Sequence, residues 1–490
     1  MLNEKHKGFR KIEDGQTTPV SQQGLLARYA VFAILLCVLS QSFRVQAQEP
    51  ITLPVAIETG IKNYGSIQAK QDYVEAAQAL TRNTRNEYLP NVIASAQQNY
   101  GTINGQYGPG ASVGVLGVAS SGPASGQQNW NAAFGGLYIL STNWEAFTFG
   151  RVQSRVQLGL AQEKQNTADL EQELFVHRVR IASAYLNLLI SQQIVESGKS
   201  NLIRVQTIRE TVKAKTVSGL NPGVDSSLVN ADVSTAKLAL INFVSNEQAA
   251  QRQLSEYLGI ATAVTFRPDT SLFYRTPAML TTSTTVQQNP QLLFYHARIE
   301  YANQLTKTTK KSILPGVTLF GVYQARGSGF DFAYSPEAAG GYSNRYQDGI
   351  NPSRYNYVAG VSLTWNLTSP FKIRQQVHAQ RFIAAGYGNE YKQLENQLQN
   401  QLILSDQRIE NALQSALEVP VQYKAATDAY LQKSMLYKNG LATLVDLQQA
   451  MFALNRAEID KSVAYVNVWM ALLLKAAASG DFDLFINQAQ

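Results

Sequence analysis

Residues that recur at one fixed separation constrain this chain most. Trp144 returns as Trp365, Val156 as Val377 and Gly219-Leu220 as Gly440-Leu441; Asp225 returns as Asp446, Ala236 as Ala457 and Gly259 as Gly480. Each pair lies 221 positions apart. A separation that holds from Trp144 to Gly259 means that the segment was copied with no net insertion. Each copy opens with a short β-like run and continues as a long helical pattern, so the unit joins a strand to a rod. The period far exceeds the roughly 20–50 residues of solenoid repeats, which makes this a duplicated hairpin and not a repeat array.

The rods can be read from what they lack. Between Arg151 and Ser218 there is no proline, and the only glycines are Gly159 and Gly198. An unbroken helix of that length reaches about 100 Å at roughly 1.5 Å per residue. Leu174, Ile181, Leu188, Val195 and Leu202 recur at every seventh position, which is a coiled-coil seam. Gly219 to Gly223 then forms a turn, and a return helix is expected from Asp225 to about Tyr257. Upstream, Pro54 to Tyr88 has helical character and stops at Leu89-Pro90. Strand-like runs follow over Asn91 to Tyr100 and Phe134 to Trp144, separated by a weakly charged Gly/Ser tract, Gly101 to Gln128. The second half repeats the plan. Asn289-Pro290 opens a helix that ends at Leu314-Pro315, and Val317 to Ala325 is strand-like. A Gly/Tyr/Asn-rich loop, Arg326 to Asn356, leads to a last strand over Tyr357 to Asn366.

That last strand alternates cleanly. Tyr357, Ala359, Val361, Leu363 and Trp365 form an apolar face opposite Gly360, Ser362, Thr364 and Asn366. A tilted ten-residue strand of this kind can cross a bilayer with Trp and Tyr at the interfaces, although a buried core strand would look similar. Four strands cannot close a transmembrane barrel, since the smallest use about eight. An open edge in lipid would leave backbone groups unpaired at several kcal/mol each. The rods, in turn, are too long to pack on a globular core within one chain. Both elements demand an oligomer.

Composition narrows the compartment. Arg28 precedes the apolar run Ala30 to Leu39, and Val45-Gln46-Ala47 supplies a small-residue cleavage pattern. Such a run is too short to span a bilayer as a helix but suits a signal-peptide core. The single cysteine, Cys37, lies inside it behind Leu36, which argues against a lipid anchor and leaves the expected mature chain without thiol or disulfide chemistry. The formal charge of +7 falls to about +4 once the basic leader is set aside, which says little about partners. No basic stripe with interleaved aromatics points to nucleic acid.

These features together resemble the TolC family of outer-membrane efflux proteins. The resemblance rests on Leu89-Pro90 and Leu314-Pro315 before strands, Phe147-Thr148-Phe149-Gly150 after the second strand and Tyr185 in the first long helix. It also rests on the two Gly-Leu…Asp turns and on Leu258-Gly259 and Ser479-Gly480 closing each half. It implies a mixed fold, a membrane β-barrel continued by a long α-helical coiled-coil barrel. Each of three identical chains would contribute four strands and paired long helices in two internal repeats. The expected organisation is a signal peptide over 1–47, a first repeat over 48–283, a second over 284–480 and a tail over 481–490. The expected role is a passive outer-membrane exit duct that reaches into the periplasm and works with a periplasmic adaptor and an inner-membrane pump. One-step protein secretion and a structural envelope coiled coil are the alternatives. Outer-membrane lipid is an expected partner; nucleic acid and cofactors are not.

The resemblance also implies a gate where the paired helices turn. Asp446 would project into the entrance, three copies forming an acidic ring, and Asp225 would accept a bond from Tyr437 that helps to hold the tip closed. Ala442 and Gln449 stand where the best-known relative has an arginine and a second acid, so fewer latching ion pairs are expected. Gly219, Leu220, Gly440 and Leu441 would form the tip that meets the adaptor. Plainer roles exist for each: both aspartates begin a returning helix after a glycine turn and can cap it, and Tyr437 can be a packed coiled-coil residue. No catalytic group emerges. His6, His177, His296 and His378 have no companions at metal-ligand spacing, and His177 reads as solvated or tunnel-lining. Lys307 to Lys311 reads as a solvated helix face near the barrel base.

Overall fold

The computed structural model describes residues 50–105, 126–260, 265–273, 275–278, 285–332, 334 and 341–489. The expected signal peptide and Cys37 lie outside these residues, as does most of the Gly/Ser tract. The chain divides into Met1–Pro50, of which only Pro50 is described, and a second unit, Ile51–Gln490, to which everything below refers.

Helices dominate. In chain order they are α1 (Leu53–Asn63), α2 (Gly65–Asn86), α3 (Arg151–Val217), α4 (Gly223–Leu258), α5 (Pro290–Lys311), α6 (Tyr346–Ile350), α7 (Ser369–Lys438), α8 (Leu444–Ser479) and α9 (Asp483–Ala489). Four strands accompany them: β1 (Asn91–Thr102), β2 (Ala132–Phe147), β3 (Gly316–Ser328) and β4 (Arg354–Thr364). α3 and α4 form one antiparallel hairpin and α7 and α8 another. The proline-free stretch does run as one helix of 67 residues, and α7 extends over 70 despite Pro420. Of the seam residues, Ile181, Leu188 and Val195 are buried. Leu174 and Leu202 are partly buried.

The first helical stretch differs from expectation. It is two helices, because Tyr64 adopts an extended conformation (φ −76°, ψ 113°) between Asn63 and Gly65. The break lets the Tyr64 ring stack on His177 at 3.8 Å between centroids, and it lets Gly259 approach the Asn63 backbone. His177 corrects a second expectation: it is fully buried, not solvated, with Tyr64 on one face and the edge of Tyr257 at 6.1 Å. Burial holds its imidazole pKa below the ordinary 6.5.

The largest core cluster lies around that histidine, where α1, α3, α4, α8 and α9 meet. Two polar aromatics pin the connecting segment there. Tyr185 donates to the Ile51 carbonyl at 2.9 Å and accepts from the Asp269 amide at 2.8 Å; burial pushes its hydroxyl pKa up. Trp469 donates to the carbonyls of Leu272 and Arg275 at 2.8 and 3.0 Å. Buried aromatics with a polar tip need such partners, because an orphaned donor costs about 1–3 kcal/mol. α8 is long and apolar enough to cross a membrane, but 67% of its most apolar window is buried, as in a packed core helix.

The sheet is a four-stranded antiparallel meander in the order β1-β2-β3-β4. Paired residues share a face, so the register sorts the side chains. Leu140 pairs with Ala94 and Tyr323, and Tyr323 with Tyr357. One face therefore carries Val92, Ala94, Tyr100, Phe134, Tyr138, Leu140, Leu319, Tyr323, Tyr355, Tyr357, Val361 and Leu363. The other carries Asn91, Ser95, Gln97, Asn99, Ser141, Asn143, Thr318, Gln324, Asn356, Ser362 and Thr364, with apolar exceptions such as Ile139 and Phe320. On the apolar face Tyr357 is 86% and Leu363 66% exposed. At the helix end of the sheet the Trp144 indole donates to the Tyr88 carbonyl at 2.8 Å and the Trp365 indole to the Ile313 carbonyl at 3.1 Å. Each tryptophan thus clamps the Leu-Pro turn that leads into the neighbouring strand.

Candidate functional site

The two long hairpins end side by side, and their turns hold the candidate residues. Each outgoing helix stops at a glycine in the left-handed region, Gly219 at φ 73° and Gly440 at φ 74°. The Leu220 amide reaches back to the Lys215 carbonyl at 2.9 Å and the Leu441 amide to the Leu436 carbonyl at 2.8 Å. Both are Schellman closures, which need a residue without a Cβ at the left-handed position. The turns leave Leu220 and Leu441 projecting, 76% and 74% exposed.

Beneath the turns an apolar cluster joins the hairpins, with Val205, Val212, Val229 and Val233 from the first meeting Tyr437, Leu444, Leu447 and Met451 from the second. Tyr437 is 3% exposed and sits at the centre of the polar contacts above it. Lys215 donates its Nζ to the Tyr437 main-chain carbonyl at 2.6 Å and lies 4.4 Å from the centroid of its ring. Asn221 Nδ2 donates to Tyr437 Oη at 3.1 Å and to Asp225 Oδ2 at 2.8 Å. The expected contact between Tyr437 and Asp225 therefore runs through Asn221. Burial raises the Tyr437 hydroxyl pKa; the Asn221 bond works the other way and the charge of Asp225 adds to the rise. Further along the rods, Arg204 grips Glu458 with both guanidinium nitrogens, at 2.8 and 2.5 Å, and Gln448 donates to Asp232.

Asp446 is occupied by its own helix. Its amide donates to Thr443 Oγ1 at 3.2 Å, while its carboxylate accepts from the Thr443 amide and hydroxyl at 3.1 and 2.8 Å. This is a capping box on α8. Lys433 Nζ lies 3.4 Å from the other carboxylate oxygen. Both Thr443 bonds, and then the lysine, hold the Asp446 carboxyl below its ordinary 3.8. Asp225 is not the N-cap of α4; Pro222 is, and Asp225 lies in the first turn.

Lys215, Asn221, Lys433 and Thr443 were not legible as site residues. Lys215 and Asn221 meet Tyr437 across more than two hundred positions, which no local pattern reports. The Thr443-x-x-Asp446 spacing does resemble the capping-box pattern and was the one available signal. Among the described residues no group of three or more His, Cys, Asp or Glu could hold a metal ion.

Residues 57–260 match the family model of outer membrane efflux proteins. In structure the chain is similar to VceC, an outer membrane protein of Vibrio cholerae, with a TM-score of 0.67 and 15% identity over 87% of this chain and 96% of that one. It is similar to the CmeC outer membrane channel of Campylobacter jejuni, with a TM-score of 0.66 and 14% identity over 90% of each chain. It is also similar to the open state of the MtrE outer membrane channel of Neisseria gonorrhoeae, with a TM-score of 0.68 and 15% identity over 87% and 88%. No curated protein matches it significantly in sequence. The resemblance read from the residues is borne out: the match over 57–260 is to outer membrane efflux proteins, and the similar structures are of outer membrane channels. These findings agree with the expected outer-membrane localisation.

Proposed function

We propose that three copies of this chain assemble into a passive exit duct through the outer membrane, opened at its helical tip by a periplasmic adaptor and driven by an inner-membrane pump. The observation that carries this reading is the sheet. Its edge strands β1 and β4 have no outer partner among the described residues, and its exposed apolar face is bounded by tyrosines at one end and tryptophans at the other. From Tyr355 to Trp365 a tilted strand rises about 25 Å, the height of an outer-membrane apolar band. Three such sheets closed edge to edge supply twelve strands. α7 supports the same assembly, since Phe371, Phe382, Ile403, Leu417, Val421 and Met435 are exposed along it and need covering.

The two halves, 48–283 and 284–480, are read as duplicated units behind a signal peptide at 1–47 and before a tail at 481–490. Their helix ends support this: Val217 and Lys438, Gly223 and Leu444, and Leu258 and Ser479 are each 221 residues apart. At the tip, Lys215 and Asn221 hold Tyr437 and keep the hairpins together, while Leu220 and Leu441, set by Gly219 and Gly440, meet the adaptor. Asp446 presents a charge partly offset by Lys433, so its acidic ring is weak, and Asp225 acts through Asn221.

Fractionation and heat-modifiable gel migration test the assembly. The duct account expects outer-membrane material that runs as a trimer unheated and as a monomer after boiling. A soluble periplasmic monomer or dimer would favour the envelope scaffold instead.

A further inference from the structure

The four strands carry only three charged residues: Glu145, Arg326 and Arg354. Glu145 lies at the helix end of the sheet, in the bulged part of β2, and is ion-paired with Arg151. The two arginines are at the opposite end, and the register sets them directly across from each other on neighbouring strands. Like charges directly opposite on a sheet work against strand pairing, and asparagine or glutamine at either position would remove the conflict. Both side chains are exposed, and neither makes an ion pair with a described residue. The Arg354 guanidinium donates to the Ser353 carbonyl, at 3.0 Å. Asp331 and Asp348, in the adjoining loop, have partners of their own; Asp348 accepts from Ser343.

The face matters as much as the pairing. Arg326 and Arg354 share the side that carries Gln324, Asn356, Ser362 and Thr364, opposite the apolar face of Tyr355, Tyr357, Val361 and Leu363. In a closed transmembrane barrel the apolar face meets lipid and the polar face lines the bore. Taking the trimeric duct of the preceding section as given, we propose that Arg326 and Arg354 form a ring of six guanidinium groups inside the outer mouth of the barrel, a site for carboxylate or phosphate anions leaving the duct. Guanidinium suits the task because it stays charged and its planar fork matches both anions. Rings of arginine or lysine are a general device for anion selection in pores.

The probe is tripolyphosphate, and the variants are Arg354→Gln and the double Arg326→Gln, Arg354→Gln. In planar bilayers, block of the wild-type trimer from the barrel side should need at least about tenfold less tripolyphosphate than block of the double variant, with the single variant between. The reversal potential in a salt gradient should move toward cation preference in the same order. Titration calorimetry on the detergent-solubilised trimer reads the same binding without conduction. Unchanged block, selectivity and heat of binding in a folded trimeric double variant would overturn the ring. A wild type that binds tripolyphosphate through these arginines but never conducts would leave the anion site standing and remove the duct.

Discussion

Removing the Lys215 ammonium while keeping its apolar stem, as in Lys215→Met, is the sharpest test of the tip. Two contacts disappear. The first is the 2.6 Å bond to the Tyr437 carbonyl, a charged donor on a helix C-terminal acceptor, and such bonds contribute about 1.5–3 kcal/mol. The second is the approach of 4.4 Å to the Tyr437 ring, worth about 0.5–1 kcal/mol at a partly exposed site. Water can replace part of the first contact because Lys215 is half-buried. The net loss should be about 2 kcal/mol, or roughly thirtyfold in the local opening equilibrium. Native-state hydrogen exchange reads that equilibrium directly. Amides in the last turns of α3 and α7 should exchange about thirtyfold faster, while those around Ile181 keep their rates. Lys213→Met, at an exposed position two residues away, is the control and should change little. A change below about threefold at the tip, or an equal rise along the whole of α3, would refute the latch.

Three further outcomes follow from the same geometry. Gly440→Ala and Gly480→Ala both force alanine to positive φ, but only at Gly480 would the new Cβ lie 2.4 Å from a backbone atom, the Asn289 Cα. Thermal unfolding should show a loss of about 1 kcal/mol for the first and about 3 kcal/mol or more for the second. His177 is buried with its pKa below 6.5, so the unfolded chain takes up its proton first and stability falls as pH drops through and below 6.5. His177→Phe should flatten that part of the pH–stability curve, as followed by circular dichroism. The Asp446 carboxyl has a folded pKa below 3.8, so its capping contribution is complete above that value and is lost as pH falls through the lower folded one. Exposure of the α8 start to an acid-active protease should rise in that acid range in the wild type, and Asp446→Asn should show no such step.

Much of this fold was legible because punctuation residues are local. Pro90, Gly219, Gly259, Pro290 and Pro315 each end or open an element for a reason confined to their own backbone. The heptad from Leu174 to Leu202 likewise reports a face through its own spacing. The Tyr64 break left a local trace in Asn63 and Gly65, but the stretch as a whole is rich in Ala, Gln and Glu, and the gain comes from stacking on a histidine more than a hundred residues away. His177 misled for a related reason: one polar residue on a long helix does not say which face it occupies. At the tip, the resemblance pointed to Asp225, Tyr437 and Asp446, and each lies at a turn or the helix end beside it. What it could not supply was how the hairpins lie side by side, and that decides that Asn221 bridges Tyr437 to Asp225 and that Lys215 reaches the Tyr437 carbonyl. The opposed Arg326 and Arg354 also emerge only once the register of β3 and β4 is known.

Single-channel recording on the purified trimer tests the central claim most directly, with wild type, Lys215→Met and Tyr437→Phe compared in planar bilayers. The account predicts a small wild-type conductance that rises clearly when the Lys215 contacts are removed and modestly when only the Tyr437 hydroxyl is lost. A well-folded trimer that passes no current in any of the three would contradict the duct and its latch together.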